Sequence, residues 1–138
     1  MLRLGKRMMR HAVFLAATVT AAVAFTPGAP AQDAEAGAKV FNQCRACHMV
    51  GENVKPLIGP PLNGIVGAKA GGYPGFAYSE ANKNSGMTWD EVTLAAYLPD
   101  PKAKMPGTKM AFAGVKSAQQ IADLIAFLKQ YDSDGKKK

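Results

Sequence analysis

The sequence predicts an all-α domain of three main helices, with short helical pieces and long loops between them. Three observations carry this. No segment beyond residue 31 alternates apolar and polar residues over the length of a strand. Three segments open on helix-capping residues, and the first and last carry an apolar stripe at helical spacing. Between the first two, residues 49–79 are rich in Gly and Pro and have no period.

Residues 1–31 stand apart from that domain. Arg3, Lys6, Arg7 and Arg10 come first, without an acid, and an apolar run follows from Ala12 to Phe25. The small-residue pattern Ala29-Pro30-Ala31 closes the segment. A basic start, a short apolar core and an A-x-A site make a secretory signal peptide. An uncleaved membrane anchor fits less well, because Thr18 and Thr20 interrupt a run already short of the ~20 residues a span needs. Cleavage after Ala31 leaves one domain of 107 residues, 32–138. It carries 13 Lys and Arg against 10 Asp and Glu, a net +3 where the whole chain has +7. Export implies an oxidising compartment, the periplasm. Neither nucleic acid nor stable membrane insertion is expected of the domain. So small a chain buries only a modest core, and a non-protein staple is expected to help it.

The elements follow in order. "DAEAGAKVFNQC" reads as the first helix, with Asp33 as N-cap and Gly37, Val40, Phe41 and Cys44 on one face. Gly37 weakens a helix by about 1 kcal/mol, so its place in the stripe marks close approach of another element. The loop 49–79 is too long to be structureless in a compact domain unless it wraps something. "SEANKNSG" gives a short helix ended by Gly86. "TWDEVTLAAYLPDP" gives the second main helix, with a capping box from Thr88 to Glu91 and a stop at Pro99 and Pro101. "KAKMPGTKMAFAGVK" reads as loop. "SAQQIADLIAFLKQY" gives the third main helix, capped by Ser117 and Gln120, with Ile121, Leu124, Ile125 and Leu128 as its stripe. The closing "GKKK" reads as a solvated tail.

The chemistry lies in "CRACH", residues 44–48, which holds both cysteines of the chain and one of its two histidines. A redox dithiol would want a βαβ context, which is missing. A structural zinc site would want four ligands, and Cys44, Cys47 and His48 are the only Cys or His of the domain. The third reading is covalent haem. Two thiols three residues apart add to the two vinyl groups along one ring edge, and the next residue, His48, ligates the iron. That reading also supplies the staple and gives the long loop something to wrap. His11 lies in the signal, so histidine cannot supply a sixth protein ligand, and the methionines are the candidates. Met49 adjoins His48, and Met87 precedes a capped helix. Met105 and Met110 flank the turn-rich "PGTK", and spacing alone does not separate them.

Taken with "GPPLNGIVG", "GFAYSEANKNSGMTW", "DPKAKMPGTKMAFAGVK" and "DLIAFLKQY", the motif resembles the class I c-type cytochromes, of the cytochrome c2 kind close to the mitochondrial protein. The resemblance runs from about Gly37 to Tyr131. It implies the class I fold, with three main helices, short helices and long loops wrapped around one haem c, covalent through Cys44 and Cys47. It implies His48 and Met110 as the iron ligands, since the axial Met follows Pro-Gly-Thr-Lys, with Met105 a packing residue. It implies that Pro60 offers its carbonyl to the His48 ring. Tyr78 and Trp89 match residues that bond the propionates, Asn82, Tyr97 and Thr108 the polar network near the sulfur, and Phe112 the aromatic at the haem edge. Gly37 and Phe41 match the crossing of the first helix on Leu124 and Phe127. One departure stands out: Ala68 occupies a position where many members carry an Arg facing a propionate, with Lys69 beside it.

The function implied is one-electron transport. With His and Met on the iron, no position is open to substrate, and no enzyme activity is expected. The resemblance implies a soluble, monomeric periplasmic shuttle. Its electrons come from a cytochrome bc complex and go to a terminal oxidase or photosynthetic reaction centre. Lys102, Lys109 and Lys116 then ring the haem edge and steer it to acidic patches. A haem enzyme or gas sensor is the rival, and it would want a distal His or Arg. The domain has no second His, and its single Arg is Arg45, inside the motif. A subunit permanently held in a larger complex is the other rival.

Overall fold

The computed structural model describes residues 31–138; apart from Ala31, the segment read as a signal peptide lies outside them. Five helices follow one another: α1 Ala34–Phe41, α2 Glu80–Lys83, α3 Glu91–Tyr97, α4 Pro101–Lys104 and α5 Ala118–Lys129. The described residues hold no strand, only two isolated antiparallel bridges, Lys69 with Thr88 and Tyr131 with Lys137. None of their helices is long and apolar enough to cross a membrane. The all-α expectation and its three main helices hold.

The core forms where α1 crosses α5. Asp33 caps α1, its Oδ1 accepting the amides of Glu35 and Ala36 at 2.8 and 3.1 Å. Its own N–H donates to Oδ1 of the buried Asp123 on α5, at 2.9 Å, which pins the start of one helix to the middle of the other. Val40 and Phe41 of α1 pack with Leu124, Phe127 and Leu128 of α5 in one buried cluster, and the Phe41 and Phe127 rings lie 5.2 Å apart. Helix α3 adds Leu94 and Tyr97 to the same cluster.

Local expectations fail in four places. The cap of α3 is Asp90, whose Oδ1 accepts the Thr93 amide at 2.7 Å, not Thr88. Thr88 is committed to its bridge with Lys69, and an ionised acceptor next to the first turn serves the helix better. Pro101 does not merely end α3. It opens α4 at the first helical position, where its missing N–H is not needed, and Asp100 caps that turn through the Ala103 amide. Helix α2 ends at Lys83, before Gly86 is reached.

The tail is the fourth. Its lysine side chains are exposed, but its backbone folds back. The Lys138 amide donates to Gln130 O at 2.8 Å, and the Asp132 carboxylate accepts the amides of Asp134 and Lys136. The turn seats Gly135, at φ 82°, against the loop that follows His48, where Asn63 brackets Gly51 with two bonds of 2.9 and 2.8 Å. A Cβ on Gly135 would lie 2.0 Å from Gly51 O. Gly135→Ala is therefore expected to lower stability by about 1–3 kcal/mol, from left-handed strain plus overpacking. Urea unfolding reads it, and an unchanged midpoint would show that the tail does not brace this loop.

Candidate functional site

A cavity of about 420 Å³ opens beside the α1–α5 crossing. Phe41, Leu94, Leu98, Leu124 and Leu128 give it an apolar wall, and Trp89 closes part of it. These are inward members of the helical stripes, so the packing that builds the core also leaves this recess. The volume falls within the few hundred to ~1,000 Å³ of cofactor sites. Lys109 and His48 are the only side chains of the lining that can carry a positive charge, and no carboxylate takes part.

The Cys–His side follows from how α1 ends. Past Phe41 the chain keeps coiling: the Cys44 amide donates to Phe41 O at 2.8 Å, and those of Cys47 and His48 to Cys44 O at 3.0 and 2.8 Å. This winding brings Cys44, Cys47 and His48 all to the cavity. The His48 Nδ1–H donates to Pro60 O at 2.7 Å. That bond fixes the tautomer and leaves the Nε2 lone pair for a metal. Burial pulls the imidazole below its ordinary range, against a smaller rise from the Pro60 bond. Burial likewise pushes the Cys44 thiol up, with Cys47 beside it adding to the rise. The Gly59 amide donates to Cys47 O at 2.9 Å, and its missing side chain leaves room for the ring.

The methionine side lies on the segment between α4 and α5. Met110 is the only one of the four methionines among the described residues to line the cavity. Met105 is 4% exposed within the core, Met87 packs against that core, and Met49 is 40% exposed. The Tyr97 hydroxyl donates to Met110 Sδ at 3.3 Å, and the Met110 amide to Thr108 Oγ1 at 3.2 Å. Burial raises the Tyr97 phenol, against a hydrogen bond with the Thr108 side chain that lowers it. Asn82 Oδ1 is buried with no partner. A buried acceptor left alone costs roughly 1–3 kcal/mol, so its place on the cavity wall points to a ligand that satisfies it. Lys109 Nζ crosses to Ala77 O at 3.2 Å.

All the residues singled out for the cofactor meet here: Cys44, Cys47, His48, Pro60, Tyr78, Asn82, Trp89, Tyr97, Thr108, Met110 and Phe112 line the one cavity. Of the three lysines, only Lys109 does. Lys102 is exposed on α4, and Lys116 donates to Pro99 O at the edge of a second recess between α3 and α5. Sequence reasoning missed the wall residues Leu94 and Leu98, because an apolar stripe at helical spacing looks the same facing a cofactor as facing protein. It also missed Ile58, which is 80% exposed at the mouth. Among the described residues no group of three His, Cys, Asp or Glu side chains is gathered for a bare metal ion. Two thiols, an imidazole with one free nitrogen, a thioether and an orphan amide around an apolar recess fit haem.

The family model for cytochrome c matches residues 34–132. The chain is 53% identical over 130 residues to a cytochrome c2 of Blastochloris viridis, covering 94% of this chain and all of that one. It is 56% identical over 103 residues to cytochrome c-550 of Bradyrhizobium diazoefficiens, covering 75% of this chain and 76% of the relative. Among solved structures, cytochrome cH from Methylobacterium extorquens superposes with a TM-score of 0.68 at 50% identity, over 71% of this chain and 98% of that one. Likeness this deep along nearly the whole domain decides the matter: the chain belongs to the class I c-type cytochromes, and is a mono-haem electron carrier holding one haem c through Cys44 and Cys47.

Proposed function

We propose that the chain is a periplasmic shuttle, exported by residues 1–31 and cleaved after Ala31. It works as a monomer of residues 32–138, carrying electrons from a cytochrome bc complex to a terminal oxidase or photosynthetic reaction centre. His48 and Met110 hold the iron, which supplies the one-electron Fe(III)/Fe(II) couple. The observation that carries this is Met110, alone of its kind in the cavity and fixed through its sulfur by Tyr97. Pro60 orients His48, while Asn82, Tyr97 and Thr108 make the polar network near the thioether, Tyr97 bonding the sulfur and Thr108 the Met110 amide. Tyr78 and Trp89 bond the propionates, and Phe112 covers the edge. A soft thioether and an apolar wall both favour the ferrous state, which raises the potential. With His48 and Met110 holding it, the iron would keep no position open to substrate, and the described residues of the lining would bind and orient the group rather than act as catalytic acid, base or nucleophile. Lys102, Lys109 and Lys116 steer it to acidic patches, with fast and salt-sensitive encounter.

The test is an absorption spectrum of the oxidised holoprotein. The weak far-red band of methionine bound to Fe(III) is expected, and Met110→Ala is expected to abolish it while Met105→Ala leaves it. The reverse pattern would sink the assignment. A second expectation concerns Ala68, whose carbonyl accepts the Trp89 amide at 2.8 Å beside the cavity. A cation there disfavours the more positive ferric state. Ala68→Arg is expected to raise the reduction potential by roughly 40 mV, the one-electron equivalent of about 1 kcal/mol. An unchanged potential in a redox titration would count against a propionate at that end.

A further inference from the structure

The mouth of the cavity is chemically uneven. Six residues both line it and are exposed: Gln43, Ala46, Ile58, Ala77, Lys109 and Ala111. Only Lys109 among them is charged. Four large apolar side chains stand exposed among the described residues, and three of them, Met49 at 40%, Leu57 at 50% and Ile58 at 80%, belong to the loop that follows His48. Exposed apolar side chains scattered singly need no explanation, but a concentration of them beside a functional opening does. Leu57 and Ile58 are also held in place. The Leu57 amide donates to Gly59 O at 3.0 Å, and the Gly59 amide to Cys47 O at 2.9 Å, so the ridge is tied to the haem-binding turn itself. Within three residues of Ile58 on either side, Lys55 is the only charged residue.

We infer that the Leu57–Ile58 ridge is the apolar anchor of the docking surface. It seats against an apolar patch, bordered by carboxylates, on a membrane redox complex. The inference rests on the docking of such a complex at this mouth and assigns the two halves of the contact to different residues. The lysines act at long range, where charge sets the rate of approach. The ridge acts at short range, where removing apolar surface from water holds the pair together and a few residues carry most of the energy. The carboxylate border follows from Lys109 at the mouth and the exposed Lys55 beside the ridge. A ridge already ordered in the free protein loses little freedom on binding.

The test uses the haem-loaded protein and a purified bacterial cytochrome bc complex as probe. The second-order rate of electron transfer is followed as ionic strength is varied. Three forms are compared: the parent, the double variant Leu57→Ser with Ile58→Ser, and Lys102→Gln. The ridge variant is expected to be about tenfold slower at every ionic strength, with the salt slope unchanged because no charge is altered. Its rate with ferricyanide, which needs no apolar contact, reads any change in the cofactor itself, and a loss there equal to the loss with the complex would overturn the anchor. Lys102→Gln is expected to flatten the salt slope instead. If Lys102→Gln flattens the slope while the ridge variant equals the parent, docking at this face stands and the anchor is overturned. If neither variant changes the rate, docking at this mouth fails, and the anchor with it. A concentration-dependent dimer in sedimentation, abolished by the ridge substitutions, would overturn the assignment in favour of a second copy of this chain.

Discussion

Gly37→Val is expected to leave little folded holoprotein, and what remains is expected to melt more than 10 °C below the parent. Two effects of opposite sign compete at this position. Replacing glycine in a helix interior gains about 1 kcal/mol or less of intrinsic propensity. Against that, a Cβ on Gly37 would lie 1.9 Å from the Asp123 carbonyl oxygen and 2.8 Å from Phe127 Cβ. The first obstacle is backbone of α5, which cannot rotate away. The helices must separate, and with them the packing of Val40, Phe41, Leu124 and Phe127. Overpacking of this kind costs ~3 kcal/mol or more. In a domain of about 100 residues each 1 kcal/mol shifts the melting temperature by roughly 4–8 °C. The consequence reaches the haem, because the Cys44 amide bonds back to Phe41 O and the turn carrying both thiols is an extension of α1. Even Gly37→Ala, which propensity alone would favour, is expected to destabilise. A scanning-calorimetry midpoint at or above that of the parent in either variant would show that α1 and α5 are free to move apart.

The same glycine shows how much was legible beforehand. A helix breaker inside an otherwise regular stripe is a local inconsistency that only a tertiary contact explains, so close approach was readable from the residues alone. The identity of the neighbour came from the resemblance. Helices α1 and α5 were readable because a period of 3.6 and a capping residue are local signals, and α3 was readable from the prolines that close it, Pro99 and Pro101, rather than from a stripe. Helix α4 was not, because one turn of four residues has no period, and a proline that stops one helix is equally able to start the next. The Thr88 cap failed because two candidate oxygens, Thr88 and Asp90, lay two residues apart, and a bridge to Lys69 decided between them. The folded-back tail was illegible for a similar reason: "DGKKK" reads as solvated charge, and only Gly51 and Asn63, some seventy residues upstream, give Gly135 a place to sit. In the site, chemistry-bearing residues were visible and the apolar wall was not. Met105 and Met110 could not be told apart by pattern, since both belong to an aperiodic loop. The fold buries one in the core and turns the other to the cavity.

Gly59→Ala tests the seat of the histidine rather than the fold. A Cβ there would lie 2.3 Å from His48 Cε1, 2.7 Å from Nδ1 and 2.9 Å from Nε2. The imidazole must then tilt or slide, and the 2.7 Å bond to Pro60 O is the first thing lost. Losing it removes the group that fixes the tautomer and strengthens the ring as a donor. The haem stays covalently attached, because Cys44 and Cys47 still hold it, so binding itself survives. The expected result is a holoprotein of normal haem content with an altered spectrum and a stability lower by about 1–3 kcal/mol. With His48 as the proposed iron ligand, weaker donation would leave the ferric state less well served, so a higher reduction potential is expected alongside. The pairing of readouts separates the two ways the substitution can act. Lost stability with an unchanged spectrum and potential would mean that the loop moved and His48 did not. A changed potential with Met110→Ala-like loss of the far-red band would place the damage on the sulfur side instead. Only a shifted spectrum and potential with the far-red band retained fits the proposed ligation, with His48 displaced and Met110 kept.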